Sequence, residues 1–205
     1  MDLIHRELTK TSHAKYDGRL QYGLFLKGIG LSLEDSLNFW KKKFSKITNE
    51  ERFEKDYAYS VRYNYGQEGK RVNFTPYSCY KIQNLKSQSV GETHGCPFKT
   101  MSNDKLKEFL FQEKFNDLDV MLILEKKSNS EFSAACIRYY KAKHKNDEND
   151  QEVGLRPNSY YNSSVKYYDR INKNKEKVKI AYEKDNNNKK YVDDKDKEII
   201  MDIAQ

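Results

Sequence analysis

The chain has 205 residues, with 38 Lys and Arg against 31 Asp and Glu, which gives a formal net charge of +7. No apolar run approaches the roughly 18 residues that a membrane-spanning helix needs, and the amino-terminal residues lack the apolar core of a secretion signal. Three cysteines, an odd number at long spacings, argue against a secreted disulfide framework. We therefore expect a soluble, intracellular protein that binds no membrane.

The composition changes at about residue 164. Residues 1–164 hold 27 Lys and Arg against 22 Asp and Glu, whereas Lys, Asn and Asp dominate the rest. This division predicts a folded domain over residues 1–164 and a disordered or marginally helical polar tail over residues 165–205. The positive charge of the first part permits an anionic partner. Its many tyrosines suit stacking on single-stranded nucleic acid, although tyrosines that fill a core explain them equally well.

The predicted elements begin with a helix over residues 2–15, whose last turn would hold His13 and Lys15. Asp17-Gly18 is then expected to break the helix. The stretch that follows, Gly18–Gly30, contains four glycines and two cations around an apolar run. It is too dense in glycine for an ordinary exposed helix, so we expect another group to approach its backbone closely.

Two capping patterns predict the next helices. Ser32 with Asp35 begins one of them, and Thr48 with Glu51 begins the other. The first has an apolar face made by Leu33, Leu37, Trp40, Phe44 and Ile47. Between Phe53 and Tyr65 the apolar residues fit both four-residue helical steps and two-residue strand alternation. We favour the helix.

The second half of the domain is also predicted to be helical. Gly66–Gly69 indicates a turn and residues 84–95 a loop. Three helices should follow, one capped by Asn103-Asp104, one over Asp117–Lys127 and one opened by Ser130. The expected buried residues are Leu118, Met121, Leu122 and Leu124 in the middle helix and Phe132, Ala135, Cys136 and Tyr139 in the last. The fold class is therefore mainly α.

The cysteines are candidate metal ligands. Cys79, Cys96 and Cys136 are separated by 16 and 39 residues, so there is no local Cys-x-x-Cys motif. On spacing alone, three unrelated buried thiols are the simpler interpretation. Turn residues beside the first two could nevertheless present a thiolate to a metal. For zinc, His94 or His144 could supply the fourth ligand.

Four cations bracket the glycine-rich stretch. His13, Lys15, Arg19 and Lys27 could together neutralise phosphate oxygens, with arginine acting in bidentate fashion. The alternative is that the cations form a solvated rim and that the glycines serve helix packing. The stretch is neither a P-loop nor a dinucleotide fingerprint, so it does not identify a ligand by itself.

Seven short motifs follow one another along the chain. They are Gly18–Gly30, Phe39-Trp40, Gly69-Lys70-Arg71, Thr75–Cys79, His94–Phe98, Ala135-Cys136 and Pro157-Asn158. In that order they resemble the C-terminal iron-sulfur domain of the eukaryotic DNA primase large subunit. The resemblance covers roughly residues 1–164 and implies a compact, two-lobed helical iron-sulfur domain with little β structure.

The resemblance implies a [4Fe–4S] cluster held by four cysteines, three of which match Cys79, Cys96 and Cys136. The fourth would fall immediately before Met1, so we expect the sequence to be truncated at its amino end. If the chain begins at Met1, a three-thiolate cluster, a zinc site that uses a histidine, or no metal at all stay open. Because a cluster would join distant segments, loss of a ligand should loosen the whole domain.

The resemblance also implies that the domain holds the 5′-triphosphate end of an RNA primer and the start of the template overhang. The residues that match these contacts are His13, Lys15, Arg19, Tyr22, Lys27, Tyr57 and Tyr59. Second-rank candidates for template phosphates are Arg62, Lys70 and Arg71.

The implied role is regulatory and non-catalytic, because nucleotidyl transfer belongs to the primase small subunit. Asp117 and Asp119 share a carboxylate spacing, but their place at a helix start is explained by capping and the helix dipole. The implied partners are the primase small subunit, the DNA polymerase alpha complex, the DNA template and the RNA primer, and the implied location is the nucleus. The alternative is a structural nucleic-acid-binding module that is cluster-free or binds zinc.

Overall fold

The computed structural model describes residues 1–145 and 151–203, and the side chains of residues 1–145 and 151–180. It is 67% helical, and the described residues form no β-strand, only an isolated antiparallel bridge between Tyr65 and Asn73. The mainly α prediction is confirmed. None of the described helices is long and apolar enough to span a bilayer.

Helices follow one another along the described residues, joined by short links and loops. In chain order they are α1 (Asp2–Thr11), α2 (Tyr16–Gly28), α3 (Leu33–Phe44), α4 (Glu50–Phe53), a π-helical turn (Glu54–Ala58), α5 (Tyr59–Asn64), α6 (Cys79–Gln83), α7 (Pro97–Thr100), α8 (Asn103–Gln112), α9 (Asp117–Ser128), α10 (Phe132–Lys143) and α11 (Pro157–Ile203). The chain divides into two units, Met1–Ser163 and Ser164–Gln205. Helix α11 begins in the first unit and continues through the described part of the second.

Two hydrophobic clusters stabilise the first unit. The N-terminal core consists of Ile4, Leu8, Tyr22, Phe25, Leu26, Trp40, Phe44, Phe53, Ala58 and Val61. The C-terminal core consists of Phe98, Leu106, Leu110, Phe115, Val120, Ile123 and Ala135. Helices α1 to α5 therefore pack around one cluster and α7 to α10 around the other, which agrees with the expected two-lobed arrangement.

The junction between α1 and α2 differs from the prediction. Helix α1 ends at Thr11, because Ser12 adopts a left-handed conformation with φ 54° and its N–H closes the last turn on Leu8 O. The predicted break at Asp17-Gly18 is wrong, since α2 begins at Tyr16 and runs through both residues. A carboxylate in the first turn of a helix complements the helix dipole. The link of residues 12–15 thus carries the two cations that were expected within a helix.

The caps of α3 and α4 can be compared directly with the sequence patterns. Ser32 caps α3 as predicted, because its hydroxyl accepts a hydrogen bond from the Asp35 N–H at 3.0 Å. The second cap lies one residue later than predicted, at Asn49 rather than Thr48. Ile47 is 43% exposed because α3 has already ended at Phe44. The helix favoured over residues 53–65 is confirmed, and it contains one π-helical turn.

Helix α9 buries only part of the predicted set. Val120 and Ile123 are buried and Leu124 packs against the C-terminal core, whereas Leu118 is 60% and Met121 58% exposed. Apolar residues occur on both faces of α9, so the sequence pattern alone could not select the face that meets α8 and α10. The capping side chain of α9 is Asn116, which accepts a hydrogen bond from the Asp119 N–H at 2.8 Å.

Glycines and loops fall largely where the sequence places them. Gly66 and Gly69 have positive φ angles of 72° and 57° and form the predicted turn. Residues 84–95 form no helix or strand. In the predicted tail, α11 continues to Ile203, and the last two residues lie outside the described part of the chain.

Candidate nucleic-acid interface and metal centre

Helix α2 fixes the segment that leads to Cys96. The buried Gln21 amide pairs with the Gly95 backbone in both directions, donating to Gly95 O at 3.1 Å and accepting from its N–H at 2.6 Å. At Gly18, a Cβ atom would lie 2.6 Å from Thr93 O. The missing side chain at Gly18 and the polar side chain at Gln21 therefore hold residues 93–95 against α2.

The other end of α2 positions the segment before Cys79. A Cβ atom at Gly28 would lie 2.2 Å from Pro76 Cγ and 2.6 Å from Asn158 Nδ2. The buried Asn158 amide donates to Phe25 O at 2.9 Å. These contacts confirm that glycines of this stretch serve close packing, and they show which segments approach the backbone of α2.

The three thiols lie close enough to influence one another. Burial raises the pKa of Cys79 to about 11, with the neighbouring Cys96 as the next cause. Burial also raises the pKa of Cys136 strongly, followed by the nearby thiols of Cys79 and Cys96. Burial lowers the pKa of the Met1 amino group, and all three thiols oppose that shift. The fold therefore brings the cysteines together beside the backbone nitrogen of Met1.

Cys96 lies at the start of α7. It is the residue immediately before the helix, and its carbonyl oxygen accepts hydrogen bonds from the N–H groups of Lys99 and Thr100 at 3.0 and 2.9 Å. Burial raises the pKa of Cys96, and the nearby N–H groups of Lys99 and Phe98 partly offset that rise.

The described side chains do not form a site for a single metal ion. Within residues 1–145 and 151–203, no three His, Cys, Asp or Glu side chains converge closely enough to hold one ion. A zinc ion needs every ligand at about 2.0–2.3 Å from one point, whereas a [4Fe–4S] cluster binds each thiolate through a different iron.

The two candidate zinc histidines differ in their surroundings. His144 contacts Tyr140, whose carbonyl oxygen lies 2.8 Å from its Nδ1 and whose ring stacks on it at 4.0 Å. His94 is buried, and its Nε2 lies 3.5 Å from a carboxylate oxygen of Glu92. Neither ring nitrogen of His94 has a hydrogen-bond partner among the described residues.

Arg19 lies in a cleft lined by aromatic residues. Its guanidinium lies 5.0 Å from the ring centre of Tyr57 and 6.0 Å from that of Tyr16. One of its terminal nitrogens donates to Ala14 O at 2.9 Å. The buried Nε–H has no hydrogen-bond partner among the described residues. Burial lowers the pKa of Arg19, yet arginine stays protonated in proteins. The cleft therefore holds a cation with unused donor capacity.

A second cleft is roomier than the first. It has a volume of about 190 Å³, against about 30 Å³ beside Arg19. Its lining residues are Ile4, Glu7, Leu8, Thr11, His13, Ala14, Lys15, Gly91 and Thr93. Lys15 donates to Val90 O at 2.9 Å and is otherwise exposed. The link between α1 and α2 thus presents His13 and Lys15 to this cleft, which has room for phosphate groups, while Arg19 of α2 lines the smaller one.

Two predicted contact residues lie inside the fold. Tyr22 is only 6% exposed, and its hydroxyl lies 2.8 Å from Nδ1 of His5. Lys27 is half-buried, and its ammonium donates to Asn64 O and Phe74 O at 2.7 Å each, and to the Asn73 side chain. The structure therefore does not bring Tyr22 or Lys27 to the surface with the other candidates.

The remaining candidates lie on or beside α5. Arg62 is paired with two carboxylates, Glu68 at 2.7 Å and Glu54 at 3.2 Å, which offset its charge. Tyr59 is 50% exposed and stacks on Tyr63 at 6.2 Å. The exposed pair Lys70 and Arg71 follows the turn after α5. These side chains form an exposed border of aromatic rings and cations.

Sequence reasoning missed two residues of the Arg19 cleft. Ser60 and Tyr63 line it together with Tyr16 and Tyr57. The four-residue spacing of Tyr59 and Tyr63, which places their rings on one helix face, could have identified Tyr63. No sequence signal indicated Ser60.

Comparison with known proteins shows which family this fold represents. The family model for the C-terminal domain of the eukaryotic and archaeal DNA primase large subunit matches residues 1–161. The chain is 40% identical over 149 residues to the human DNA primase large subunit, an alignment that covers 72% of the chain and 29% of the human protein. It is 37% identical over 190 residues to the DNA primase large subunit of Dictyostelium discoideum, and this alignment covers 92% of the chain and 39% of that relative.

A plant relative gives a similar result. The probable DNA primase large subunit of Arabidopsis thaliana is 38% identical over 164 residues, which cover 80% of this chain and 35% of that protein. The chain therefore spans only about a third of the length of these relatives. It belongs to the eukaryotic and archaeal DNA primase large-subunit family and carries the C-terminal domain of that family.

Proposed function

We propose that this chain is the nucleic-acid-holding, non-catalytic domain of a DNA primase, which binds the 5′-triphosphate end of an RNA primer and the adjoining template during DNA replication. Its contact surface consists of His13, Lys15, Arg19, Tyr57 and Tyr59. Lys70 and Arg71 would extend this surface along the template. Nucleotidyl transfer would belong to a primase small subunit, within a nuclear complex with DNA polymerase alpha.

The observation that carries this proposal is the environment of Arg19. Its guanidinium lies against aromatic rings, and its buried Nε–H has no partner among the described residues. An unsatisfied buried donor is costly, so the site is arranged for a ligand that supplies an anionic acceptor. Phosphate oxygens pair well with guanidinium donors, and the larger cleft brings Lys15 and His13 to the same ligand.

Arg19→Ala should weaken binding of a 5′-triphosphorylated primer–template much more than binding of the same duplex with a 5′-hydroxyl. Hydrogen bonds to charged groups contribute about 1.5–3 kcal/mol, so the preference for the triphosphate should fall by about tenfold or more. The measurement is fluorescence anisotropy with both duplexes at one salt concentration.

Arg138→Ala is the matched control, because Arg138 is an exposed arginine on α10, outside both clefts. It removes the same charge and should leave the preference unchanged. Equal weakening of both duplexes by Arg19→Ala would reduce Arg19 to a general phosphate contact and would contradict the proposed 5′-end site.

We further propose that Cys79, Cys96 and Cys136 hold a [4Fe–4S] cluster. Bound iron would be a structural link between segments that are distant in sequence. The influence of the three thiols on one another's pKa supports this arrangement.

Anaerobic purification followed by iron, sulfide and zinc analysis tests the cluster. About four irons per chain are expected, and Cys96→Ser should remove most of the iron and the visible absorption. Stoichiometric zinc in place of iron would support the alternative zinc-bound module. A soluble Cys96→Ser variant with unchanged absorption would exclude Cys96 as a ligand.

A further inference from the structure

Helix α11 carries a charged surface that the family comparison does not explain. The family match ends at residue 161, while α11 continues to Ile203. Residues 164–180 contain six Lys and Arg against two Asp and Glu. The Dictyostelium alignment covers 92% of the chain and so extends beyond residue 164. This segment is therefore shared with at least one relative.

Four of these cations share one face of the helix. Lys166, Arg170, Lys173 and Lys177 are spaced by four, three and four residues, and all are exposed. At 3.6 residues per turn they fall within an arc of about 60° and extend over about 16 Å. We call this set the cationic ridge. Asp169 lies along one edge of it, so the segment keeps a net positive charge.

The opposite side of α11 has a different character. Tyr161, Tyr168 and Val178 there are 40%, 48% and 69% exposed, but Lys175 and Lys179 interrupt the apolar surface. A helix that binds a membrane surface needs a continuous apolar face, which this side lacks. The cationic ridge itself contains no apolar anchor of the kind that carries binding energy in protein interfaces.

A regular row of cations without apolar anchors is complementary to a ligand with a regular row of negative charges. Nucleic acids present phosphates about 3.4 Å apart along each strand, so successive cations of the ridge, about 4.5–6 Å apart along the axis, can each meet a phosphate. We infer that the cationic ridge of α11 is a second, sequence-independent contact for the nucleic-acid backbone. This inference rests on the proposed function for the identity of its ligand.

The test compares two double variants of the same helix. Lys173→Gln with Lys177→Gln removes two charges from the ridge, and Lys175→Gln with Lys179→Gln removes two from the opposite side. Glutamine keeps a helix propensity close to that of lysine. Binding of a 5′-triphosphorylated primer–template and of plain single-stranded DNA is measured by anisotropy across a series of salt concentrations.

The ridge variant should lower the slope of log K against log salt by about 1.5, because each lost phosphate contact contributes about 0.7–0.9. The control variant should change the slope by less than half as much. Equal slopes in both variants, or a slope unchanged in the ridge variant, would overturn the inference. Displacement of the nucleic acid from the ridge by an acidic peptide at equal charge concentration would also overturn the inference, since the ligand would then be a protein.

The two proposals fail in distinguishable ways. The ridge variant should keep the preference for a 5′-triphosphate over a 5′-hydroxyl, because Arg19 is intact. If Arg19→Ala fails to change that preference, the proposed 5′-end site is wrong, while the salt slopes still decide whether the ridge binds nucleic acid.

Discussion

The ammonium group of Lys27 bonds to three acceptors in the segment from Asn64 to Phe74. It also lies 5.0 Å from the ring centre of Tyr65. Burial lowers its pKa, which is the usual effect of desolvating a cation. Lys27 therefore connects α2 to the turn that carries Lys70 and Arg71, and it has little free donor capacity for a phosphate.

Two lysines of the candidate site should respond in opposite ways to substitution. Lys27→Gln should lower the free energy of unfolding by about 1–3 kcal/mol, because it leaves buried acceptors without their charged donor, and it should change 5′-end binding little. Lys15→Gln should change the free energy of unfolding little and should weaken 5′-end binding, since Lys15 is exposed and makes one backbone contact. Urea unfolding and primer–template binding measure the two effects. Lower affinity in Lys27→Gln at unchanged stability would restore Lys27 as a phosphate contact.

At the scale of the element, α2 combines tight packing with glycine. Its glycines do not share one function, because their surroundings differ. Gly28 leaves no room for a side chain, whereas a Cβ atom at Gly23 would make ordinary contacts at 3.7–3.8 Å with Asn64 and Trp40. The same substitution can therefore have opposite effects in one helix.

Gly28→Ala should destabilise the domain by about 1–3 kcal/mol, because the added methyl overlaps Pro76 and Asn158 and overpacking has that cost. Gly23→Ala should be neutral or raise stability by up to about 1 kcal/mol through the better helix propensity of alanine. Thermal and urea unfolding of the two variants measure the difference. Equal destabilisation by both variants would mean that the close contacts at Gly28 do not cause the loss of stability.

The elements also show what the sequence could and could not predict. Helical period and capping identified α3, because those signals are local. The period also identified α10, but Ser130 does not cap it: Glu131 precedes the helix and forms no side-chain cap. The sequence signals misplaced the break at Asp17-Gly18, since a glycine that ends one helix and a glycine that admits a neighbouring backbone look alike in sequence. They selected the buried face of α9 only in part, because both faces are apolar and only packing against α8 and α10 decides between them.

At the scale of the whole first unit, Glu113 joins the two hydrophobic cores. It pairs with Arg6 of α1 at 2.6 Å and with Lys143 of α10 at 2.7 Å. Hydrogen bonds from Lys143 and then Arg6 lower the pKa of Glu113. A lowered folded-state pKa stabilises the fold above the unfolded pKa of about 4.3, and this contribution is lost as the pH falls through the folded-state value.

Glu113→Gln should lower the free energy of unfolding by about 0.5–1 kcal/mol at pH 7, the size expected for a partly exposed pair of salt bridges. The difference from the unsubstituted chain should shrink as the pH falls below about 4.3. Urea unfolding between pH 3.5 and 7 measures it. Glu108→Gln, an exposed carboxylate on α8, serves as the control. A difference that stays constant across this pH range would exclude a charge effect.

The candidate site was predictable in part at this scale. The order of short motifs identified the three cysteines and the cations near α2, and the fold does bring the thiols together. Spacing alone could not predict that arrangement, because 16 and 39 residues separate the thiols and the contacts of Gln21 and Asn158 determine how these segments approach. The sequence also could not separate buried Tyr22 from half-buried Tyr57, since both belong to apolar patterns.

The proximity of Met1 to the three thiols also bears on the order of events during synthesis. During synthesis, Cys136 emerges 135 residues after Met1. At about 5–20 residues per second, that interval is roughly 7 to 27 seconds. The N-terminal core ends at Val61, so all of its segments are synthesised well before Cys136. Domains generally begin to fold in the order of their synthesis. A cluster that uses all three thiols would therefore be inserted into a chain whose N-terminal core has already been made.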